Sequence, residues 1–417
     1  MTRLRKAARI SGPPYNTRDH KLVLMVAGEA SADLHGSNLV KAMKASCPGV
    51  TFCGIGGANM KQAGVKILVS SSDMAVVGLT EVLQKLHTIV RAANKLKATL
   101  KAHHPDLLIL IDYPDFNLYM ARIARRLQIP VLYYISPQVW AWRRGRVKKI
   151  AKRVDRMAVI LPFEEQFYRK RGVTVDYVGH PLLDAFKPAT RNPQQSSEVG
   201  SQKNKRRNSV PPCGTSIQHP VSSIQNPVVG LLPGSRREEI RNMLPIMIRS
   251  AEILKTRYPD IRCLLPLAKT LEPEFIDSFI RKSSLNIEVH QTNIYEALGR
   301  CHIALVTSGT ATLDTAIMAV PMVIVYKVTP FSYRVGKMLI KTPFIGLANL
   351  VAGERVVPEL VQDEVTPERL ADEALTLIEN ERVRKEMITK LHGIRKRLGE
   401  GGASERTAKI AAEMMKC

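Results

Sequence analysis

Cysteine is sparse in this 417-residue chain: six residues run from Cys47 to Cys417, with no C-x-x-C pair and no Cys/His group at zinc spacing. This excludes a disulfide-built scaffold and a structural zinc site, and it predicts unpaired thiols in a reducing, cytoplasmic setting. No apolar run reaches the roughly 18 residues that a membrane-spanning helix needs. The basic stretch Met1 to Ile10 lacks the apolar core of a secretory signal. Aromatic residues make up only 5% of the chain, and none of them falls in an RNA-recognition pattern. Acids are the minority, 37 Asp plus Glu against 62 Lys plus Arg, for a net charge of +25. Such a charge points to an anionic partner, which could be nucleic acid, an anionic membrane face or a phosphorylated substrate, and does not choose among them.

What the chain does contain is a repeated strand, loop and helix unit. Lys21 to Val26 (KLVLMV) is a short apolar run followed by a glycine-bearing loop and a helical pattern. The unit recurs at Asp106 to Ile111 (DLLILI), Val131 to Ile135, Met157 to Leu161 and Val175 to Val178, then again at Val228 to Leu232, Cys263 to Leu265, Ile287 to His290, Ile303 to Val306 and Met322 to Tyr326. Short apolar strands alternating with helices predict doubly wound parallel sheets. Between Pro188 and Pro227 the texture is rich in Pro, Ser, Gln and Asn, with no aromatic residue and the basic run Lys203 to Arg207. That segment cannot bury enough apolar surface to offset its chain entropy, so it reads as a linker. The expected organisation is a basic tail 1–20, an N-terminal Rossmann-like domain 21–187, a disordered linker 188–227, a C-terminal Rossmann-like domain 228–366, and closing helices 367–417 packed across the outside. Two such α/β domains predict a central cleft, because ligands of these sheets sit beyond the carboxyl ends of the strands.

Four loops could carry chemistry there. Gly28-Glu29-Ala30-Ser31-Ala32-Asp33 follows the first strand, and Glu29 would face the cleft; the simpler alternative is a turn in which Ser31 or Asp33 caps the next helix. Asp112 follows LLILI within IDYPDFN, where a carboxylate at the end of a buried strand can serve as a general base. Capping is the competing role for Asp112 and more so for Asp115. In the second half, Pro233-Gly234-Ser235-Arg236 leads into a helix. Gly234 permits close backbone approach, Ser235 offers a hydroxyl, and Arg236 presents a fork for phosphate oxygens. Thr307-Ser308-Gly309-Thr310-Ala311-Thr312-Leu313-Asp314 repeats the pattern. Two anion-ready helix starts favour a pyrophosphate ligand over two plain capping turns.

Two amphipathic stretches stand apart. Val82, Leu83, Leu86, Ile89, Val90 and Ala93 fall at helical spacing, opposite Lys85, His87 and Arg91. This is either an ordinary core-facing helix or, if exposed, a face that requires lipid or a partner to cover it. Arg143 to Arg156 (RRGRVKKIAKRVDR) reads as a basic helix with Val147, Ile150, Ala151 and Val154 on one stripe. It is either a solvated face or a contact for anionic head groups. Trp140 and Trp142 just before it belong either to the core or to an interface.

In order, GEASAD, IDYPDFN, SPQVWAWR, LPFE, VGHP, LLPGSR, TSGTATLD and NLVAGE resemble the lipid-A-disaccharide synthase family, from about Lys21 to the last helices. The resemblance implies a GT-B fold and transfer of 2,3-diacylglucosamine from UDP-2,3-diacylglucosamine to 2,3-diacylglucosamine 1-phosphate. Inversion, a β-1′,6 linkage, and no metal or other cofactor are expected with it. It makes Asp112 the base for the acceptor 6-hydroxyl and places Glu29 and Ser31 on the acceptor side. Gly234, Ser235, Arg236, Ser308, Gly309, Thr310, Asp314 and Asn349 fall on the donor side. The acyl chains of both substrates make Val82, Leu83, Leu86, Ile89 and Val90 a lipid-entry face, with peripheral binding to the anionic cytoplasmic leaflet of a Gram-negative-type cell; a homodimer also fits.

The chain departs from the family at Ala32, where GEASGD is usual, at Asp314, where glutamate is common, and in the length of the linker. Rival expectations are another enzyme that uses UDP-N-acetylglucosamine, such as the lipid II glycosyltransferase or a 2-epimerase, and a basic nucleic-acid-binding protein. IDYPDFN and NLVAGE favour the diacyl enzyme over the first, and no nucleic-acid module supports the second.

Overall fold

Runs of Val, Ile, Leu and Met build the strands of two sheets, each buried on both faces. The computed structural model describes residues 20–74, 79–141, 144–185, 224–267, 271–291, 294–329, 333–334, 336–337 and 342–417. Outside the described residues lie 1–19 of the expected tail, 188–223 of the expected linker, Trp142, Arg143, and the side chains of Val82, Leu83 and Leu86. The chain divides into two units, Met1–Pro181 with Gly402–Cys417, and Leu182–Gly401.

The first unit holds seven strands: β1 Leu22–Ala27, β2 Thr51–Gly56, β3 Lys66–Ser70, β4 Leu107–Ile111, β5 Val131–Tyr134, β6 Arg156–Val159 and β7 Val175–Tyr177. Every pairing is parallel, in the order β3-β2-β1-β4-β5-β6-β7. The second unit repeats the plan with β8 Val228–Leu232, β9 Arg262–Pro266, β10 Asn286–His290, β11 Ile303–Thr307, β12 Met322–Tyr326 and β13 Glu359–Val361. Its order is β10-β9-β8-β11-β12-β13, again all parallel. Both sheets therefore reverse winding between their first and fourth strands, which is where doubly wound folds bind ligands.

Alternation within the strands splits the first unit's core in two. Leu22, Leu24 and Val26 join Leu108 and Leu110 on one face, under helices that include Leu79–His103, Pro114–Arg126 and Val147–Arg153. Val23, Met25 and Ala27 join Leu107, Ile109 and Ile111 on the other, under Ala30–Ser46 and Ala403–Met415. Each fully buried aliphatic side chain contributes about 1.5–3 kcal/mol, so the period-2 pattern fixes which face every helix covers. In Pro114–Arg126, proline at the first position suits an amide site with no helical partner, and Phe116, Met120, Ala121, Ile123 and Ala124 form the inward stripe.

The closing segment contributes to both units: Pro367–Glu379 and Glu381–Arg397 to the second, Ala403–Met415 to the first. The last helix brings Cys417 to Cys47 at the end of Ala30–Ser46, and the two form a disulfide with a Cα–Cα distance of 5.9 Å. The expectation of unpaired thiols is corrected here. The partners are 370 residues apart in sequence, so spacing could not reveal them. Cys53, Cys263 and Cys301 are buried free thiols, and burial pushes the Cys53 thiol up to about 11.

Two other readings change. The basic helix is shorter than expected, Val147–Arg153, with Val147 and Ile150 buried but Ala151 exposed. Arg156 lies in β6 instead, where Asp176 and Glu413 hold its guanidinium at 2.6–3.1 Å. Trp140 is a core residue, 5% exposed. In Leu79–His103 the residues Ala92, Ala93, Leu96 and Leu100 face the core, Ile89 packs against its edge, and Val90 is 49% exposed.

Candidate functional site

At the first unit's switch point, the loops after β1 and β4 lie side by side. Glu29, half-buried, is the N-cap residue of Ala30–Ser46 and makes no side-chain cap hydrogen bond. Ser31 is exposed and Ala32 is packed into the core at 2% exposure, so alanine in place of the family's usual glycine is accommodated. Asp33 does not cap its own helix. Its carboxylate accepts from Gly57 N at 2.6 Å, Asn59 N at 3.0 Å, Asn59 Nδ2 at 2.9 Å and Met60 N at 3.1 Å, which ties this loop to the turn after β2.

Asp112 and Tyr113 end β4 in the left-handed region, with φ of 47° and 48°, and Ile135 beyond β5 has φ of 63°. Non-glycine residues there cost about 1–3 kcal/mol each, and such strain collects at functional sites. The Tyr113 ring lies against Gly28: a β-carbon at residue 28 would come within 2.7 Å of Tyr113 Cγ, so only glycine admits the ring. Tyr113 Oη donates to Met74 O at 3.0 Å. Burial first, and then the negative charges of Glu29 and Asp115, raise its phenol above the ordinary value. Glu29, Tyr113 and Asp112 thus form one half-buried acidic corner at the carboxyl ends of β1 and β4.

Glu164 was not singled out by sequence reasoning. It is 1% exposed; its carboxylate accepts from Trp140 Nε1 at 2.9 Å and Leu161 N at 3.1 Å, and burial pushes it up to about 7. Ser136 and Tyr168 bond beside it at 2.6 Å. The cluster fastens the SPQVWAW segment after β5 to the LPFE turn after β6, and a glutamate three residues into a helix was its one sequence signal. His180 of VGHP is also buried, and desolvation, then His35, depresses its imidazole to about 3, leaving it neutral.

At the second unit's switch point, Gly234 (φ 112°) turns the chain from β8 into helix Arg237–Arg257. Ser235 N and Arg236 N point at Glu239 Oε2, at 3.0 and 3.3 Å, and Arg236 Nη1 reaches Glu239 Oε1 at 3.3 Å. A β-carbon on residue 234 would lie 2.8 Å from Glu239 Cβ. Two amides and a guanidinium therefore converge on the chain's own carboxylate, the capping arrangement that is the simpler alternative to a pyrophosphate site. After β11, Ser308 is half-buried and donates to Ile345 O at 3.1 Å, while Gly309 and Thr310 are exposed.

The structure does not bring Asp314 and Asn349 to that surface. Asp314 is 7% exposed and accepts from Tyr295 Oη at 2.8 Å; burial raises its carboxyl to about 6. Asn349 is fully buried. Its Nδ2 donates to Val357 O and Glu359 Oε1, and its Oδ1 accepts from Val356 N and Val357 N, so the side chain pins the helix Leu347–Ala352 to the chain entering β13. Among the described residues, no group of three or more His, Cys, Asp or Glu could hold a metal ion, and no helix is long and apolar enough to cross a membrane.

Two doubly wound parallel sheets, one in each unit, are the GT-B fold, which glycosyltransferases and epimerases share. The fold is shared with the UDP-GlcNAc 2-epimerase from Neisseria meningitidis, solved bound to UDP-GlcNAc (TM-score 0.62, 14% identity, 94% of this chain and 100% of that one). It is shared also with the calicheamicin glycosyltransferase CalG4 (TM-score 0.57, 15% identity, 95% and 98%). The chain belongs to the lipid-A-disaccharide synthase family. The family described as lipid-A-disaccharide synthetase matches residues 23–212 and 218–414. The lipid-A-disaccharide synthase of Geobacter metallireducens is 47% identical over 96% of this chain and 98% of its own. The protein is accordingly a hexosyltransferase of lipid A biosynthesis.

Proposed function

We infer that the protein transfers 2,3-diacylglucosamine from UDP-2,3-diacylglucosamine to the 6-hydroxyl of 2,3-diacylglucosamine 1-phosphate, with inversion and without a metal. The observation that carries this reading is the placement of Asp112 at the end of β4, beside Glu29 across the switch point. Asp112 takes the hydroxyl proton as the acceptor oxygen attacks the anomeric carbon. The bond from that carbon to the diphosphate oxygen breaks, and UDP leaves with the electron pair. Base catalysis of this kind accelerates attack by about 100- to 10,000-fold.

Charge developing on UDP is met by Ser235 N, Arg236 N and the Arg236 guanidinium, with Gly309 and Thr310 at the adjoining helix start. Gly234 leaves room for the approach and Ser308 holds its loop through Ile345. Glu239 then yields its amide partners to the diphosphate. Asp314 and Asn349 serve this side by shaping its loops from within. Glu29 and Ser31 contact the acceptor.

Membrane contact follows from the helices over one face of the first sheet. Arg91, Arg122, Arg126, Lys148, Lys149 and Lys152 are exposed there together with Val90 and Tyr119. Each cation near an anionic surface contributes about 1 kcal/mol, so this face would hold the protein on the inner leaflet of the cytoplasmic membrane, where acylated substrates reside. Replacing Lys148, Lys149 and Lys152 with glutamate should release the protein from anionic vesicles and leave its circular dichroism unchanged; retained binding would move the contact elsewhere.

The reaction itself is tested by incubating the protein with both substrates in detergent micelles plus EDTA, with mass spectrometry of the products. Disaccharide 1-phosphate and UDP are expected. Turnover only of UDP-N-acetylglucosamine would instead favour an epimerase-like enzyme.

A further inference from the structure

The backbone at the end of β4 requires a restraint that the strand itself does not supply. Asp112 and Tyr113 are successive non-glycine residues with left-handed φ. Past the last ladder pairing of β4 with β5, Ile111 with Tyr134, the peptide groups must find other partners. Those of Asp112 find three. Its N–H donates to the carbonyl of Ile135 at 3.3 Å. Its carbonyl accepts from Tyr133 Oη at 2.6 Å and from Asn117 Nδ2 at 2.5 Å. Asn117 Nδ2 also reaches the carbonyl of Ile111 at 3.2 Å, so one amide spans the last strand residue and the first turn residue.

Both donors are fully buried: Tyr133 and Asn117 are each 0% exposed. Tyr133 sits among Leu108, Leu110, Val131 and Met157 in an apolar cluster where phenylalanine would pack as well. A hydroxyl is unfavourable in such surroundings unless it is hydrogen-bonded, and here its partner is the Asp112 carbonyl. Burial first, then the charge of Asp112, raises its phenol well above 10, so the hydroxyl remains a proton donor throughout the working pH range. Asn117 belongs to the first turn of Pro114–Arg126, so the clamp couples a neighbouring strand and the following helix to one carbonyl.

We propose that Tyr133 and Asn117 are positioning residues for glycosyl transfer, which hold the Asp112 carbonyl from two elements and so fix the left-handed turn that aims the Asp112 carboxylate at the acceptor hydroxyl. The proposal rests on the reading of Asp112 as base. If the carbonyl is released, the 112–113 peptide can rotate out of the left-handed region and carry the side chain with it. A misplacement of about 1 Å costs on the order of 100-fold in rate, while ground-state binding by other residues is unaffected.

The test is a double-mutant cycle on the full-length protein: kcat and both KM values for the wild type, Tyr133→Phe, Asp112→Asn and the double variant, with folding checked by circular dichroism. Tyr133→Phe removes one oxygen and leaves Asn117 as a donor, so the fold is retained. It should lower kcat by about 10- to 100-fold with both KM values within about 2-fold. In the Asp112→Asn background the same change should alter kcat by less than about 2-fold, because its effect runs through Asp112. Asn117→Ala, taken through the same cycle, should behave alike. An unchanged kcat in Tyr133→Phe, or an equal loss in both backgrounds, overturns the positioning role. A wild-type rate in the single Asp112→Asn variant overturns the base reading and this proposal with it, and that outcome is read from a different protein than the first two.

Discussion

The two switch points solve opposite problems on the same sheet topology. At the end of β4, non-glycine residues are forced into left-handed backbone and held by buried donors from β5 and the following helix. At the end of β8, a glycine supplies the positive φ, and the amides that follow are exposed and rest on the chain's own Glu239. A residue proposed as a base must keep one orientation against a hydroxyl, and the over-determined backbone at Asp112 suits that role. A loop proposed to take a diphosphate must exchange one anion for another, and the contacts of its amides with Glu239 are exposed. On the roles proposed above, the same strand order would carry proton transfer at one switch point and charge stabilisation at the other.

The largest break in this comparison should come from Asp112→Asn, which lowers kcat by about 100- to 10,000-fold and leaves UDP affinity intact, as read by steady-state rates and by calorimetric titration of UDP. Arg236→Ala should do the reverse in kind, weakening UDP binding by about 10- to 100-fold through loss of a charged hydrogen bond. If both variants lost UDP affinity equally, the division of labour would fail.

The smallest effect concerns pH. The Glu164 carboxyl is held at about 7 in the fold against an ordinary 4.5, so the folded state binds its proton more tightly. Its stabilising contribution is complete below about 4.5 and is lost as pH rises through about 7. Melting temperatures measured across that window should decline for the wild type and decline less for Glu164→Gln, in which Asp314, raised to about 6, still titrates. His180, depressed to about 3 from 6.5, acts with the opposite sign: its contribution is present above 6.5 and is lost as pH falls toward 3.

Much of the architecture could be read from residues that act locally. KLVLMV and LLILI announce strands buried on both faces, and the loops that follow them carry Glu29, Asp112, Ser235 and Arg236 at the strand ends. What escaped was long-range pairing. Asp33 looks like a cap for its own helix but serves residues 57–60, and Glu164 looks like an ordinary first-turn acid but holds Trp140. Tyr133 reads as one more apolar strand residue, since nothing nearby in sequence shows that its hydroxyl meets Asp112. Cys47 and Cys417 meet only because the final helix returns to the first unit. Asp314 and Asn349 lie in helix-forming runs whose burial depends on neighbours from distant segments, so exposure could not be told from motif alone.

The most direct test of Asp112 as the base is the pH dependence of kcat for the wild type and Asp112→Asn, with both proteins verified as folded. The wild type should show a rate that rises with pH on its acid side, and the variant should show a low rate without that rise. A variant that keeps the same rise, at whatever rate, would contradict the account and reduce Asp112 to a residue that merely orients the acceptor.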